Sequence, residues 1–230
     1  MKKLLVLGLL LMLGANIIHA QLRLNTYAIG TFSDNVESYY SSSNYFKGRV
    51  NGGFMWGGGL EYLVHKYTGI EFFYQRMDTH APMTYIGGNF GTVHNTNFNL
   101  GLNNIMLALN RYFPTGNPKV EPFAGAFLGL SIFDLKNPDD NSSNSITKFG
   151  YGFRTGVNLW ASKKVAVKIL AQMASASQAV GGGFYFGTGG SGVGLSSYSS
   201  FLQFGLGAGL TFKLGDDKPT AEKATIYRRY

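Results

Sequence analysis

Apolar and polar positions alternate with a period of two along most of the chain, in runs long enough to cross a membrane as strands. Residues 198–214 are the clearest case. Tyr198, Leu202, Phe204, Leu206, Ala208, Leu210, Phe212 and Leu214 share one face, and Ser199, Gln203, Gly205, Gly207, Gly209, Thr211 and Lys213 the other. Residues 148–160 set Phe149, Tyr151, Phe153, Val157 and Leu159 against Lys148, Gly150, Gly152, Arg154, Gly156 and Asn158. Residues 165–173 set Val165, Val167, Ile169, Ala171 and Met173 against Lys168, Leu170 and Gln172. In residues 52–64, Phe54, Trp56, Leu60, Tyr62 and Val64 oppose Gly53, Gly57, Gly59 and Glu61; in 70–77, Ile70, Phe72 and Tyr74 oppose Glu71, Phe73 and Gln75.

Three further segments alternate less cleanly. Residues 22–32 form the first strand. Residues 97–113 begin with Phe98, Leu100 and Leu102 on one face and then shift to Ile105, Leu107 and Leu109, which predicts a β-bulge at Asn103-Asn104 that resets the phase. Residues 119–135 turn Ala124, Ala126, Leu128, Leu130 and Ile132 outward and Glu121, Gly125, Gly129 and Ser131 inward, with Phe123 and Phe127 as bulky inward exceptions.

These segments make eight strands. Residues 65–69, 114–118 and 161–164 are short connections; 33–46, 78–96, 136–147 and 178–197 are long and rich in Ser, Asn, Gly and Asp. Tight turns at one end and long loops at the other are the organisation of an up-and-down transmembrane β-barrel, with the loops outside and the turns in the periplasm. Lipid offers no partner to backbone N–H and C=O groups, so such a sheet must close. Aromatic residues gather near the strand ends, as girdles at the two interfaces require: Tyr62, Tyr67, Tyr112, Phe113 and Phe212 at the turn end, and Phe32, Tyr45, Phe46, Phe133, Phe149 and Tyr198 at the loop end.

Composition agrees with one face in hydrocarbon. Glycine accounts for 32 of 230 residues, aromatics for 15% and charged residues for only 14%, against about 25% charged in a soluble domain. A soluble barrel would turn the apolar face inward, but the opposite face here is built of Gly, Ser, Asn and Gln, which suits a narrow lumen better than a surface in water. Residues 1–20 read as a signal peptide, with Lys2 and Lys3 ahead of an apolar run, Leu4–Gly14, and cleavage after Ala20. The run is too short for a membrane-spanning anchor, which needs about 20 residues. The chain has no cysteine, which excludes disulfides and thiolate metal sites, and without a lipobox cysteine a lipoprotein is not expected. Without Lys2 and Lys3 the charge is +6, from 18 Lys and Arg less 12 Asp and Glu, and it is scattered; neither nucleic acid nor a cofactor is expected. The domain plan is a signal peptide at 1–20, a barrel at 21–214 and a short periplasmic tail at 215–230.

Four stretches carry a family likeness: Gly52–Val64 (GGFMWGGGLEYLV), Gly69–Arg76 (GIEFFYQR), the Asn110-Arg111-Tyr112-Phe113-Pro114 exit and the closing strand Phe201–Leu214. On these the chain resembles the small outer-membrane β-barrels of the OmpA-transmembrane-domain and OmpX-like class, in the form found in Bacteroidota. The resemblance covers residues 1 to about 214 and implies residence in the outer membrane beside lipopolysaccharide. It also implies handling by the barrel-assembly machinery through the last strand, where Gly207, Leu210 and Phe212 look like the signal. That signal usually ends a chain; here sixteen residues, Gly215–Tyr230, follow it, too few for a peptidoglycan-binding domain.

Candidate chemistry is sparse. Glu61, Glu71, Arg154, Lys168 and Lys213 all fall on the inward parity in the turn-proximal half of their strands. An eight-stranded barrel is only wide enough for side chains to fill, so these groups are expected to pair across the lumen as a plug. Their alternative use is an ion or proton path. Asp78 and His80, two apart on one face, could with a loop serine form a lipid-modifying catalytic site. Phe184, Tyr185 and Phe186 in a glycine-rich loop suit contact with a host or other surface ligand, and Asp139-Asp140 could hold Ca²⁺ only weakly. The leading expectation is a monomeric, non-enzymatic barrel with a structural or surface-interaction role. The alternatives are an outer-leaflet lipid-modifying enzyme and a narrow small-solute pore.

Overall fold

The structure is a computed structural model that describes residues 22–41, 44–87, 92–139, 141–177, 184–185, 194–195 and 201–215. Its strands are β1 (Leu22–Thr31), β2 (Asp34–Ser41), β3 (Asn44–Val50), β4 (Phe54–His65), β5 (Thr68–Gly87), β6 (Thr92–Tyr112), β7 (Val120–Lys136), β8 (Ser143–Trp160), β9 (Val165–Ser177), β10 (Phe184–Tyr185), β11 (Gly194–Leu195) and β12 (Phe201–Lys213). The elements β1, β4 to β9 and β12 pair antiparallel in a ring, with β1 bonded to both β4 and β12 and β5 bonded to β6. That is the eight-stranded all-β barrel expected from the alternation. Closure satisfies every strand edge inside the bilayer.

The wall extends past the membrane on one side. β2 and β3 form a hairpin that continues β1 and β4, and β3 pairs with β5 from Phe46↔Tyr85 to Gly48↔Met83. Residues 33–46 and 78–96, expected as loops, are thus largely strand among the described residues, and β8 begins at Ser143 within the expected loop 136–147. Long polar strands remain in register because β5 and β6 pair without a shift from Thr68↔Arg111 to Gly87↔Thr92.

That ladder also removes the expected bulge. Asn103 and Asn104 pair in step with Arg76 and Gln75 on one side and with Ile132 and Ser131 on the other. The strand keeps its phase; the environment changes instead. Phe98, Leu100 and Leu102 point into the barrel and are buried together with Met77, Met83, Phe133 and Leu135. Turned outward on the same stretch are Asn97, Asn99 and Asn103. Below Asn103 the outward positions become apolar, with Ile105 followed by Leu107 and Leu109 at 50% and 56% exposure. The inversion marks where the outer face leaves hydrocarbon and meets water, while the interior becomes a packed apolar core. Among the described residues two girdle assignments change: Phe133 joins the apolar core above the inversion, and Tyr112, on the inward parity at the turn end, is buried against Glu61.

Around the ring the outward side chains form a continuous apolar belt. Trp56, Leu60, Phe72, Leu128, Leu130, Phe153, Ile169, Leu206 and Leu210 are each 40% exposed or more. Glycines on the inner parity leave room for the bulk that fills the lumen. A Cβ at Gly152 would strike the Phe127 ring, and one at Gly59 would strike the Glu71 carboxylate.

Candidate functional site

The turn-proximal half of the lumen holds a polar network centred on Glu71. Glu71 sits on β5 opposite Glu61 on β4, and both are fully buried. The Glu71 carboxylate accepts from Asn25 Nδ2 at 3.0 Å, from Asn110 Nδ2 at 3.2 Å, from the Tyr27 hydroxyl and from Arg154 Nη2. The Arg154 guanidinium also donates from Nε and Nη2 to Asn110 Oδ1 at 3.1 and 2.9 Å and from Nη1 to the Tyr27 oxygen at 3.1 Å. Its carbon lies 4.9 Å from the centre of the Phe73 ring. Glu61 accepts from Asn110 Nδ2 at 2.7 Å and from the Tyr112 hydroxyl at 2.6 Å. Lys168, 1% exposed, places Nζ over the Phe123 and Tyr27 rings at 4.9 and 5.6 Å.

Each position follows from strand parity and register. Asn25 and Tyr27 come from β1, Asn110 and Tyr112 from β6, Arg154 from β8 and Lys168 from β9. Six strands therefore send side chains to one level. Two buried carboxylates side by side repel, and the two cations and the amide and hydroxyl donors offset that repulsion.

A second cluster closes the turn end. Arg23 donates from both terminal nitrogens to Glu121 at 3.0 Å each, and Asn158 Nδ2 donates to the same carboxylate at 2.9 Å. The guanidinium stacks on Tyr112 at 4.7 Å and lies 5.3 Å from Trp160. Lys213 sits here, its Nζ 4.3 Å from the Trp160 ring, beside an open cleft of about 540 Å³ that Lys119 and Lys163 also line. Above the Glu71 level, Gln75 and Gln172 exchange two amide bonds at 2.9 and 3.3 Å across the barrel.

All five lumen residues expected from sequence therefore point inward, at two levels: Glu61, Glu71, Arg154 and Lys168 together, and Lys213 at the turn end. Arg23 was missed because its strand alternates weakly, its outward positions including Thr26, Ala28 and Gly30. Asn25, Tyr27, Asn110 and Tyr112 were missed because uncharged inward residues carry no sequence mark of their partners.

Asp78 and His80 lie on the outward face of β5, both exposed. The Asp78 carboxylate is occupied by Arg76, whose Nη2 and Nε donate to it at 2.7 and 3.1 Å. Phe184 and Tyr185 belong to the β10–β11 ladder, paired with Leu195 and Gly194. Phe186 and Asp140 lie outside the described residues, and the Asp139 carboxylate accepts from the Thr96 hydroxyl at 2.9 Å.

A closed eight-stranded wall with an apolar exterior and a filled polar interior defines a transmembrane barrel. The sequence profile of the outer membrane protein beta-barrel domain family matches residues 5–177. The chain belongs to that family and resides in the outer membrane. No curated protein sequence matches it. Among solved structures it is similar to neisserial surface protein A, at TM-score 0.54 and 19% identity, over 84% of this chain and 96% of that one. It is also similar to OprG of Pseudomonas aeruginosa, at TM-score 0.50 and 12% identity, over 84% and 97% of the two chains. These likenesses concern the fold.

Proposed function

We propose that this protein is a monomeric, non-enzymatic outer-membrane barrel that seals its own lumen and holds a rigid surface platform outside the cell. It belongs, in this reading, to the OmpA-transmembrane-domain and OmpX-like class of Bacteroidota and is inserted through its last strand, β12. The observation that carries it is the Glu71–Arg154 pair, whose side chains are 0% and 1% exposed within a lumen packed above and below them. A desolvated pair fixed by Asn25, Tyr27 and Asn110 offers no path to a hydrated ion. The long β5–β6 ladder and the β2–β3 hairpin support the platform. Their core of Met77, Met83, Phe98 and Phe133 stiffens a surface that is polar outside, fit for contact with a host or neighbouring cell.

Planar-bilayer recording of the refolded full chain tests the seal. Baseline current with no stable steps is expected. Long-lived, uniform conductance steps would replace the reading with a small-solute pore.

A further inference from the structure

A second polar network lies on the outward face of β5, β6 and β7, where the apolar belt ends. Besides its two bonds to Asp78, Arg76 donates from Nη1 to Asn103 Oδ1 at 2.9 Å, and the Tyr74 hydroxyl donates to the same oxygen at 2.8 Å. Asn103 Nδ2 in turn donates to Asp134 Oδ2 at 2.8 Å. Gly101 pairs with Asp78 on one side and Asp134 on the other. It forms a shallow floor: a Cβ there would lie 3.5 Å from Arg76 Nη2, Asp78 Oδ1 and Asp134 Cβ. One step further out on the same face stand His80, Asn99 and Lys136 in one row.

Depth fixes what this patch meets. From Thr68 at the turn end to Arg76 is eight residues of a tilted strand, or about 21 Å along the membrane normal. The hydrocarbon-facing band of such barrels is about 25 Å tall. Directly below Arg76 and Asn103 lie Phe72, Leu107 and Leu128, each at least half exposed, and Leu130 at 47%. That level is within the last few ångströms of the band, from which a long cationic side chain extends to the headgroups of the outer leaflet. Arg76 uses three of its five N–H donors on Asp78 and Asn103, which leaves one on each terminal nitrogen for an acceptor from the membrane.

We propose that this patch binds the phosphate of an outer-leaflet lipid headgroup. Arg76 is the anchoring cation and Lys136 the second. Asp78 and Asp134 hold Arg76 and Asn103 in place and can accept hydrogen bonds from hydroxyl or ammonium groups of the same headgroup. The acyl chains then lie along Ile105 and Leu130, continuous with the belt. Two cations interleaved with two carboxylates above an apolar wall match a head that carries phosphate beside hydroxyl or ammonium donors above an apolar tail.

Native mass spectrometry of the purified full chain released from detergent tests this. The probes are bisphosphorylated lipid A, the same glycolipid stripped of phosphate, and phosphatidylglycerol. Retention of the phosphorylated glycolipid over the stripped one is expected, with about a tenfold loss in the Arg76→Gln, Lys136→Gln variant. Retention of phosphatidylglycerol that depends on the same two residues also supports the site and assigns a phospholipid to it. If the Arg76 variant fails to fold, Lys136→Gln alone reads the loss, since Lys136 is exposed above the belt. Equal retention of the stripped glycolipid, retention unchanged by these substitutions, or a dimer that covers the patch would overturn the proposal.

Discussion

Glu61 and Glu71 face each other across the β4–β5 ladder with both carboxylates fully buried. Only Glu71 touches Arg154 directly; Glu61 is held by Asn110 and Tyr112. The barrel thus places two like charges at one level and depends on a surrounding set of donors to keep them there.

Arg154→Met removes the direct counter-charge and leaves Glu71 buried beside Glu61. Breaking a buried pair costs about 3–5 kcal/mol. The urea midpoint of the refolded barrel, followed by heat-modifiable gel mobility, should fall accordingly. The double variant Arg154→Met, Glu71→Gln should recover part of the loss, because the uncompensated charge is gone. A double variant as unstable as the single one would place the cost in packing instead.

Arg23→Ala strips Glu121 of two bonds and Tyr112 of its stacked cation. Glu121 is 23% exposed, so water replaces part of the interaction and the expected loss is about 1–3 kcal/mol. The same unfolding assay reads it, and Arg23→Lys should restore less than half, since a lysine cannot make the two-pronged contact.

Gly152→Leu drives a side chain into the Phe127 ring and should prevent refolding or shift the urea midpoint strongly downward. Gly116→Ala, in an open turn with nothing within 4 Å, should stay within about 0.5 kcal/mol of the parent. Comparable behaviour of the two would mean that the lumen is not packed.

The phase inversion on β6 makes a depth prediction. Leu107→Arg places a cation within the belt and should cost about 2–4 kcal/mol, whereas Asn99→Arg on the same face above it should cost about 0–1 kcal/mol. Refolding yield into vesicles and the urea midpoint distinguish them. Equal penalties would contradict the position of the boundary at Asn103.

The outward face could be read from sequence because lipid demands bulk at every second residue. The parity of Glu61, Glu71, Arg154, Lys168 and Lys213 came with it. Phe98, Leu100 and Leu102 misled, since alternation separates two faces without naming what each one touches. Above the membrane, water lies outside and the apolar residues turn in. Outward Asn97, Asn99 and Asn103, on the same face as Asp78 and Asp134 of the neighbouring strands, carried that information. The Asn25, Asn110, Tyr27 and Tyr112 contacts depend on three-dimensional register between strands far apart in the chain, such as β1 and β8, and no local pattern encodes them.

The chain has two tryptophans, which report opposite sides of the wall. Trp56 is 50% exposed on the belt, and Trp160 lies against Arg23 and Lys213 at the turn end. Fluorescence quenching by brominated acyl chains, compared between Trp160→Phe and Trp56→Phe barrels in vesicles, reads which face meets hydrocarbon. Strong quenching of Trp56 and weak quenching of Trp160 is the expected result; a Trp56 signal untouched by brominated lipid would contradict the orientation of the entire sheet.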